Sequence, residues 1–169
     1  MDKVAPSLLS LGVPAPEPIL RRAMDADAPA VRTLVFGILR DYGLPTDAHT
    51  DSDLDDLNAH YFSRGGEFVV LTTADGTLIG CVGLYRIDDA CIELRKMYLA
   101  SGWRGRGYGR RLLNHALERA RNFGVKKITL ETATVLKEAI ALYTQAGFRR
   151  VEGCTHSCRC DLAMELELV

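Results

Sequence analysis

The run GWRGRGYGRRLL, Gly102 to Leu113, constrains this chain more than any other. It sets Gly102, Gly105, Gly107 and Gly109 among Arg104, Arg106, Arg110 and Arg111, a few residues after a strand-like run, CIELRKMYL. From Tyr108 the pattern turns helical. Tyr108, Leu112, Leu113, Ala116, Leu117, Ala120 and Phe123 fall on one face, and Gly124 ends the run. A helix start leaves backbone N–H groups unpaired and carries partial positive charge. Glycines ahead of it let an anion reach bare backbone. The unit therefore reads as strand, phosphate-binding loop and helix, with Arg104 and Arg106 as charge-assisted donors. A loop of solvated arginines is the plainer alternative, which three glycines at every second position disfavour.

The rest of the chain frames this unit. ILRRAM reads as a short strand. Asp25, Asp27 and Pro29 form a capping arrangement for a helix carrying Val31, Leu34, Val35, Ile38, Leu39 and Tyr42. A second short helix is expected to carry Leu54, Leu57, Tyr61 and Phe62. EFVVLTT and LIGCVGLYRI, joined by ADGT, form a hairpin, since Asp-Gly between apolar runs is a strong turn signal. KITLETA is another strand, Leu136, Ala139, Ile140 and Tyr143 mark a last helix face, and FRRVE and CDLAMELEL close the chain as strands. The order predicts an α/β fold, a mixed sheet with helices on its faces.

CIELRKMYL breaks its own alternation: Ile92 and Leu94 share one phase, Met97 and Leu99 the other. A one-residue slip turns the core face outward unless an extra residue is absorbed, so a β-bulge is expected between Leu94 and Met97. The alternative is a strand buried on both sides.

At 169 residues with a formal net charge of −1, the chain fits one domain with no global attraction to nucleic acid or anionic membrane. No apolar run is long enough to span a bilayer. A short apolar patch near the start is followed by Pro14, Pro16 and Pro18 and by no small-residue cleavage site, so residues 1–18 read as a loose arm ahead of a domain from 19 to 169. Five cysteines, two of them (Cys81 and Cys91) in apolar strands, suggest reduced thiols and a cytoplasmic setting.

A dinucleotide site is one way to use the loop, with Glu131 as the ribose ligand of an NAD-dependent oxidoreductase. But Gly105, Gly107 and Gly109 give G-x-G-x-G rather than G-x-G-x-x-G, and no repeated βαβ series surrounds them. RGRGYG, Arg104 to Gly109, resembles instead the pyrophosphate loop, R/Q-x-x-G-x-G/A, of the Gcn5-related N-acetyltransferases. ELRKMYL looks like that family's fourth strand, splayed from the fifth by its bulge. LETATVLKEAIALYTQAGF keeps the family's A-x-x-L-Y-x-x-x-G-F signature from Ala139 to Phe148. The resemblance covers roughly Leu20 to Val169.

That resemblance implies an acetyl-CoA-dependent transfer of an acetyl group directly to a primary amine. Backbone N–H groups of Arg104, Gly105, Arg106, Gly107, Tyr108, Gly109 and Arg110 would hold the pyrophosphate of CoA. Met97, Tyr98 and Leu99 would pair with pantetheine as with an added strand, and the N–H near Leu99 would face the thioester oxygen. Glu93 matches the position of the general base and Tyr143 that of the acid protonating the CoA thiolate. Their plainer readings are a surface carboxylate paired with an arginine and a core tyrosine. An acyl-CoA sensor without turnover is the non-enzymatic alternative.

Weaker signals concern the acceptor. Glu131 and His156 are candidate substrate residues, and the acidic run DAHTDSDLDD offers a rim for a cationic acceptor or, more simply, helix caps. CTHSCRC, Cys154 to Cys160, lacks paired C-x-x-C spacing and is not expected to bind zinc; no metal is implied. No cysteine is expected where it would form a covalent acetyl-enzyme. A small-molecule amine is the expected partner, rather than nucleic acid or membrane, and the paired final strands could join a second copy as a homodimer.

Overall fold

A computed structural model describes residues 16–153 and 155–168. The strands are β1 (Ile19–Arg22), β2 (Glu67–Thr72), β3 (Leu78–Arg86), β4 (Cys91–Leu99), β5 (Lys127–Thr132), β6 (Arg149–Val151) and β7 (Leu162–Glu167). The helices are α1 (Ala28–Asp41), α2 (Tyr108–Asn122) and α3 (Lys137–Gln145). One seven-stranded sheet runs β1-β2-β3-β4-β5-β7-β6. Every neighbouring pair is antiparallel except β4 and β5. The strand pair flanking the β4–α2–β5 crossover is parallel because a helical connection returns the chain to its starting end.

Helices cover both faces, as the order of periodic segments predicts. The apolar stripe of α2 (Leu112, Leu113, Ala116, Leu117 and Ala120) packs with Tyr143 of α3 on Leu84, Ile92, Leu94, Ile128 and Leu130. On the other face, Val31, Val35 and Leu39 of α1 pack with Leu54, Leu57 and Tyr61 on Phe68, Val70 and Cys81. The ADGT turn closes as expected. Gly76 takes φ +86, and the Thr73 N–H reaches the Thr77 carbonyl at 2.9 Å.

Three local expectations are corrected. Asp27 does not cap α1 with its side chain; its carboxylate turns back to the Met24 N–H and takes a bidentate contact from Arg21, both at 2.8 Å. The second helix is absent. Leu54, Leu57 and Tyr61 are buried, but on a 3₁₀ turn (Thr50–Leu54) and a single π-type turn (Asn58–Phe62) that Leu57 precedes. The aspartates interrupt it: Asp56 caps the Ala59 N–H, and Asp51 and Asp53 are drawn inward to buried cations. Finally, the closing strand β7 starts at Leu162 rather than at Cys160, so Cys158 and Cys160 lie in a loop.

The arm expected over residues 1–18 lies outside the described residues up to 15. Beyond it, the Pro18 carbonyl accepts a 2.7 Å bond from Arg111 of α2. Edge strand β6 carries exposed Arg149 and Arg150, charges that disfavour addition of another strand there. No helix among the described residues is long and apolar enough to cross a membrane.

Candidate active site

The slip in β4 is a bulge. Across from β3, Cys81 pairs with Tyr98 and Gly83 with Arg95, so Val82 alone faces two residues, Lys96 and Met97. Lys96 absorbs the extra residue at φ +53, in the left-handed region. Leu94 and Met97 therefore both pack on the α2 face, while Arg95 and Lys96 both turn toward the α1 side, where they approach Asp53.

The bulge also opens the sheet. β4 and β5 pair only from Cys91–Lys127 to Leu94–Leu130. Beyond Leu94 the strands diverge, leaving the β5-facing peptide groups of Lys96 to Leu99 without a strand partner. A cleft of about 400 Å³ fills this V. One wall is Leu94, Met97, Tyr98 and Leu99 of β4; the other is Glu131, Thr132 and Ala133 with Leu142 and Tyr143 of α3.

At the mouth of the V lies the glycine loop. Gly105 and Gly107 take φ +73 and +86, and a Cβ built on either would meet nothing within 4 Å. Packing thus does not demand glycine at these sites; left-handed backbone does, and an approaching ligand would exploit the bareness. Gly107 is the N-cap of α2, and the first intrahelical bond runs from the Arg111 N–H to its carbonyl at 3.0 Å. The amides of Tyr108, Gly109 and Arg110 are then the orphan donors of the helix start, and Gly109 and Arg110 border the cleft. The arginine side chains behave otherwise than expected. Arg104 donates from Nε to the Leu99 carbonyl (3.0 Å) and from Nη1 to the Tyr42 hydroxyl (2.9 Å), tying the loop to β4 and α1. Arg106 lies over the Trp103 ring, and Tyr108 packs on the same indole. Arg104 borders the cleft with its guanidinium held by the Leu99 carbonyl and the Tyr42 hydroxyl, whereas Arg106 is not part of the cleft wall.

Tyr143 lines the cleft and is 5% exposed. Burial, reinforced by Tyr98 and Cys160, pushes its phenol well above the ordinary range, and its hydroxyl bonds no described residue. It therefore stays protonated across physiological pH. Glu93 lies elsewhere. Its Oε2 accepts from Arg95 Nε at 2.8 Å and Nη2 at 2.6 Å, and its side chain is not part of the cleft wall.

Glu131 and His156 come together. His156 Nδ1 lies 2.6 Å from Glu131 Oε1, and the backbone N–H groups of His156 and Ser157 also donate to that carboxylate. Glu131 is thereby fastened to the loop while it lines the cleft.

The acidic rim is likewise engaged. Asp51 and Asp53 are 3% and 2% exposed. Asp51 takes Lys96 Nζ at 2.6 Å and both terminal nitrogens of Arg159 at 2.7 and 3.0 Å. Asp53 accepts the Tyr61 hydroxyl at 2.6 Å. Burial alone would raise the Asp51 carboxyl, but Arg159, the Asp47 N–H and Lys96 outweigh it and hold the group below its ordinary value. Lys96 and Arg159 border the cleft and were not foreseen; a lone Lys at the slip of an apolar strand was the only signal available. Cys160 also lines the cleft, but burial raises its thiol and disfavours the thiolate. Cys154 lies outside the described residues, and among those described no three metal-ligating side chains converge.

A splayed parallel pair beside a glycine-lined helix start is the architecture of acyl-CoA-type acyltransferases. The chain belongs to the Acetyltransferase (GNAT) family, whose sequence profile matches residues 35–148. It is 36% identical over 161 residues to the uncharacterized N-acetyltransferase YjgM of Escherichia coli (strain K12), covering 89% of this chain and 95% of that one. An acetyltransferase of the GNAT family from Staphylococcus aureus superposes with TM-score 0.85 at 19% identity, over 90% of this chain and 99% of the other. A phosphinothricin acetyltransferase from Sinorhizobium meliloti, solved in complex with AcCoA, gives TM-score 0.70 at 20% identity over 89% and 88%. The protein is accordingly an N-acetyltransferase, and the oxidoreductase alternative falls away.

Proposed function

We propose that this chain takes its acetyl group from acetyl-CoA and passes it directly to the primary amine of a small molecule. The observation that carries the reading is continuity. The orphan amides of α2, the unpaired β4 edge and the Tyr143 hydroxyl border one cleft. Backbone from Arg104 to Arg110 would hold the pyrophosphate, and Met97 to Leu99 would pair with pantetheine. An N–H at the end of β4 would stabilise the oxyanion of the tetrahedral intermediate.

Tyr143 fits the acid that protonates the departing thiolate. The neutral amine must be generated first, because an alkylamine is mostly ammonium near neutral pH. Glu93, bound to Arg95 through Oε2, would serve this step only through a water on its other oxygen. Direct transfer is favoured over an acetylated Cys160 because that thiol is held protonated.

Thermal unfolding with acetyl-CoA, desulfo-CoA and NADH tests the donor. Both CoA species should raise the midpoint by mass action and NADH should not. An amine panel, followed by thiol release, then tests the acceptor class; stabilisation by CoA without turnover would reduce the protein to a binder.

A further inference from the structure

The apex of the V, where β4 and β5 part, is lined on one face by charged groups. Parallel pairing sets Glu93 opposite Thr129 and Leu94 opposite Leu130. Leu94 and Leu130 face the α2 side. Alternation then sends Glu93 and Arg95 of β4, and Glu131 of β5, to the other face. Arg95 confirms this by packing over Tyr85 and approaching Asp53.

Onto this face the loop 155–160 lays His156. The His156 backbone N–H reaches both oxygens of Glu131 at 2.9 Å, so the main chain of the loop, and not only the ring, is fastened to β5. The next residues of the loop, Arg159 and Cys160, border the cleft. With Nδ1 donating to Glu131, a neutral imidazole carries its lone pair on Nε2. Nε2 bonds no described residue, and the side chain is 91% exposed. The result is a solvent-exposed basic nitrogen of fixed tautomer, held beside Glu131 of the cleft wall.

We infer that His156 is the proton acceptor for the substrate ammonium and that Glu131 is its positioning residue. The inference rests on the acetyl-transfer reading above. The ammonium gives one proton to Nε2, and the freed nitrogen pair attacks the thioester carbon. The C–N bond forms as the carbonyl pair moves onto oxygen. Collapse of that intermediate breaks the C–S bond, and Tyr143 protonates the thiolate. A second N–H proton leaves the nitrogen and replaces the one Tyr143 gave up; imidazolium returns its own to solvent. Atoms and charge balance as ammonium plus thioester giving amide, thiol and one proton.

The groups facing His156 set its titration. Glu131 raises it first by hydrogen bond and then by charge, Glu93 adds to the rise, and Arg95 opposes it. Asp47, which accepts the Cys158 N–H, and the Arg159–Asp51 pair complete the loop's charged surroundings. Because the basic form is the active one, activity should climb as pH rises through this elevated value.

The test compares kcat and kcat/KM against pH for wild type, His156→Gln, Glu131→Gln and Glu93→Gln, using an amine accepted by the wild type. Each variant is also melted with and without desulfo-CoA. His156→Gln should lower kcat about 10²- to 10⁴-fold and remove the acid limb, while leaving the CoA-induced shift intact. Glu131→Gln should move the acid limb to lower pH, since a neutral amide no longer favours imidazolium. Glu93→Gln should change both less than His156→Gln does. An unchanged kcat and limb in His156→Gln overturns the inference, as does loss of the limb in Glu93→Gln alone. Wild-type protein that binds acetyl-CoA but acetylates no amine would fell the transfer reading itself, and this assignment with it.

Discussion

Replacing Asp51 with Asn would test whether the buried ion cluster behind the bulge holds the cleft together. Asp51 bridges Lys96 and Arg159, whose side chains are only 4% and 7% exposed. Lys96 would keep Asp53 at 3.2 Å and the Thr50 carbonyl at 3.1 Å, but Arg159 would lose the carboxylate that both its terminal nitrogens contact. Removing one partner of a buried pair costs about 3–5 kcal/mol, because the other charge is left desolvated. The amide oxygen of Asn still accepts one bond, which places the expected loss near the lower end, about 3 kcal/mol. For a domain of this size, that corresponds to a melting midpoint lower by roughly 6–12 °C. Urea unfolding should show the midpoint falling at constant slope, since the surface exposed on unfolding is unchanged. The double variant Asp51→Asn with Arg159→Gln should lose less than the sum of the singles, a signature of direct coupling. A loss under about 1 kcal/mol, the range of solvent-exposed pairs, would refute the view that these charges act as a buried unit.

Other consequences can be measured separately. Because Asp51 and Asp27 titrate below their ordinary value of 3.8, their stabilisation is complete above that pH and is lost as pH falls through the depressed values. The acid side of the melting curve should therefore flatten in Asp51→Asn, and an identical curve would argue against it. Gly107→Val should cost roughly 1–2 kcal/mol in left-handed backbone and abolish desulfo-CoA binding. As a Cβ there meets no protein atom within 4 Å, lost affinity would report the ligand path, and retained affinity would remove the phosphate assignment. Tyr143→Phe should lower kcat by about 10²-fold or more while CoA affinity holds; equal losses in both would return the residue to packing.

Much of the fold was legible because it is written in periodicity. The stripe from Leu112 to Ala120, the Asp-Gly hairpin and the slip at Met97 are local patterns, and each reappears as a buried face, a turn or a bulge. What escaped sequence reasoning is pairing at a distance. Nothing near Asp51 announces Lys96 or Arg159, which are 45 and 108 residues away, and nothing near Glu131 announces His156. Those two were singled out one by one, but their joint geometry depends on a loop returning across β5. Asp51 and Asp53 read as part of an acceptor-facing rim or as helix caps, because charge is read as surface unless its partner is seen. The break in the second helix followed from the same pairing, since those aspartates turn inward at the expense of helical regularity.

Most proteins guard the open sides of their sheets against intruding chains, because unpaired N–H and C=O groups will accept any extended backbone. Here such a side exists in the interior of the sheet. The bulge at Lys96 makes it, and β5 stands close enough to shelter it. Across the gap stand Glu131, Thr132 and Ala133 with Leu142 and Tyr143, so the adhesiveness that would make an outer strand an aggregation hazard is enclosed within the fold.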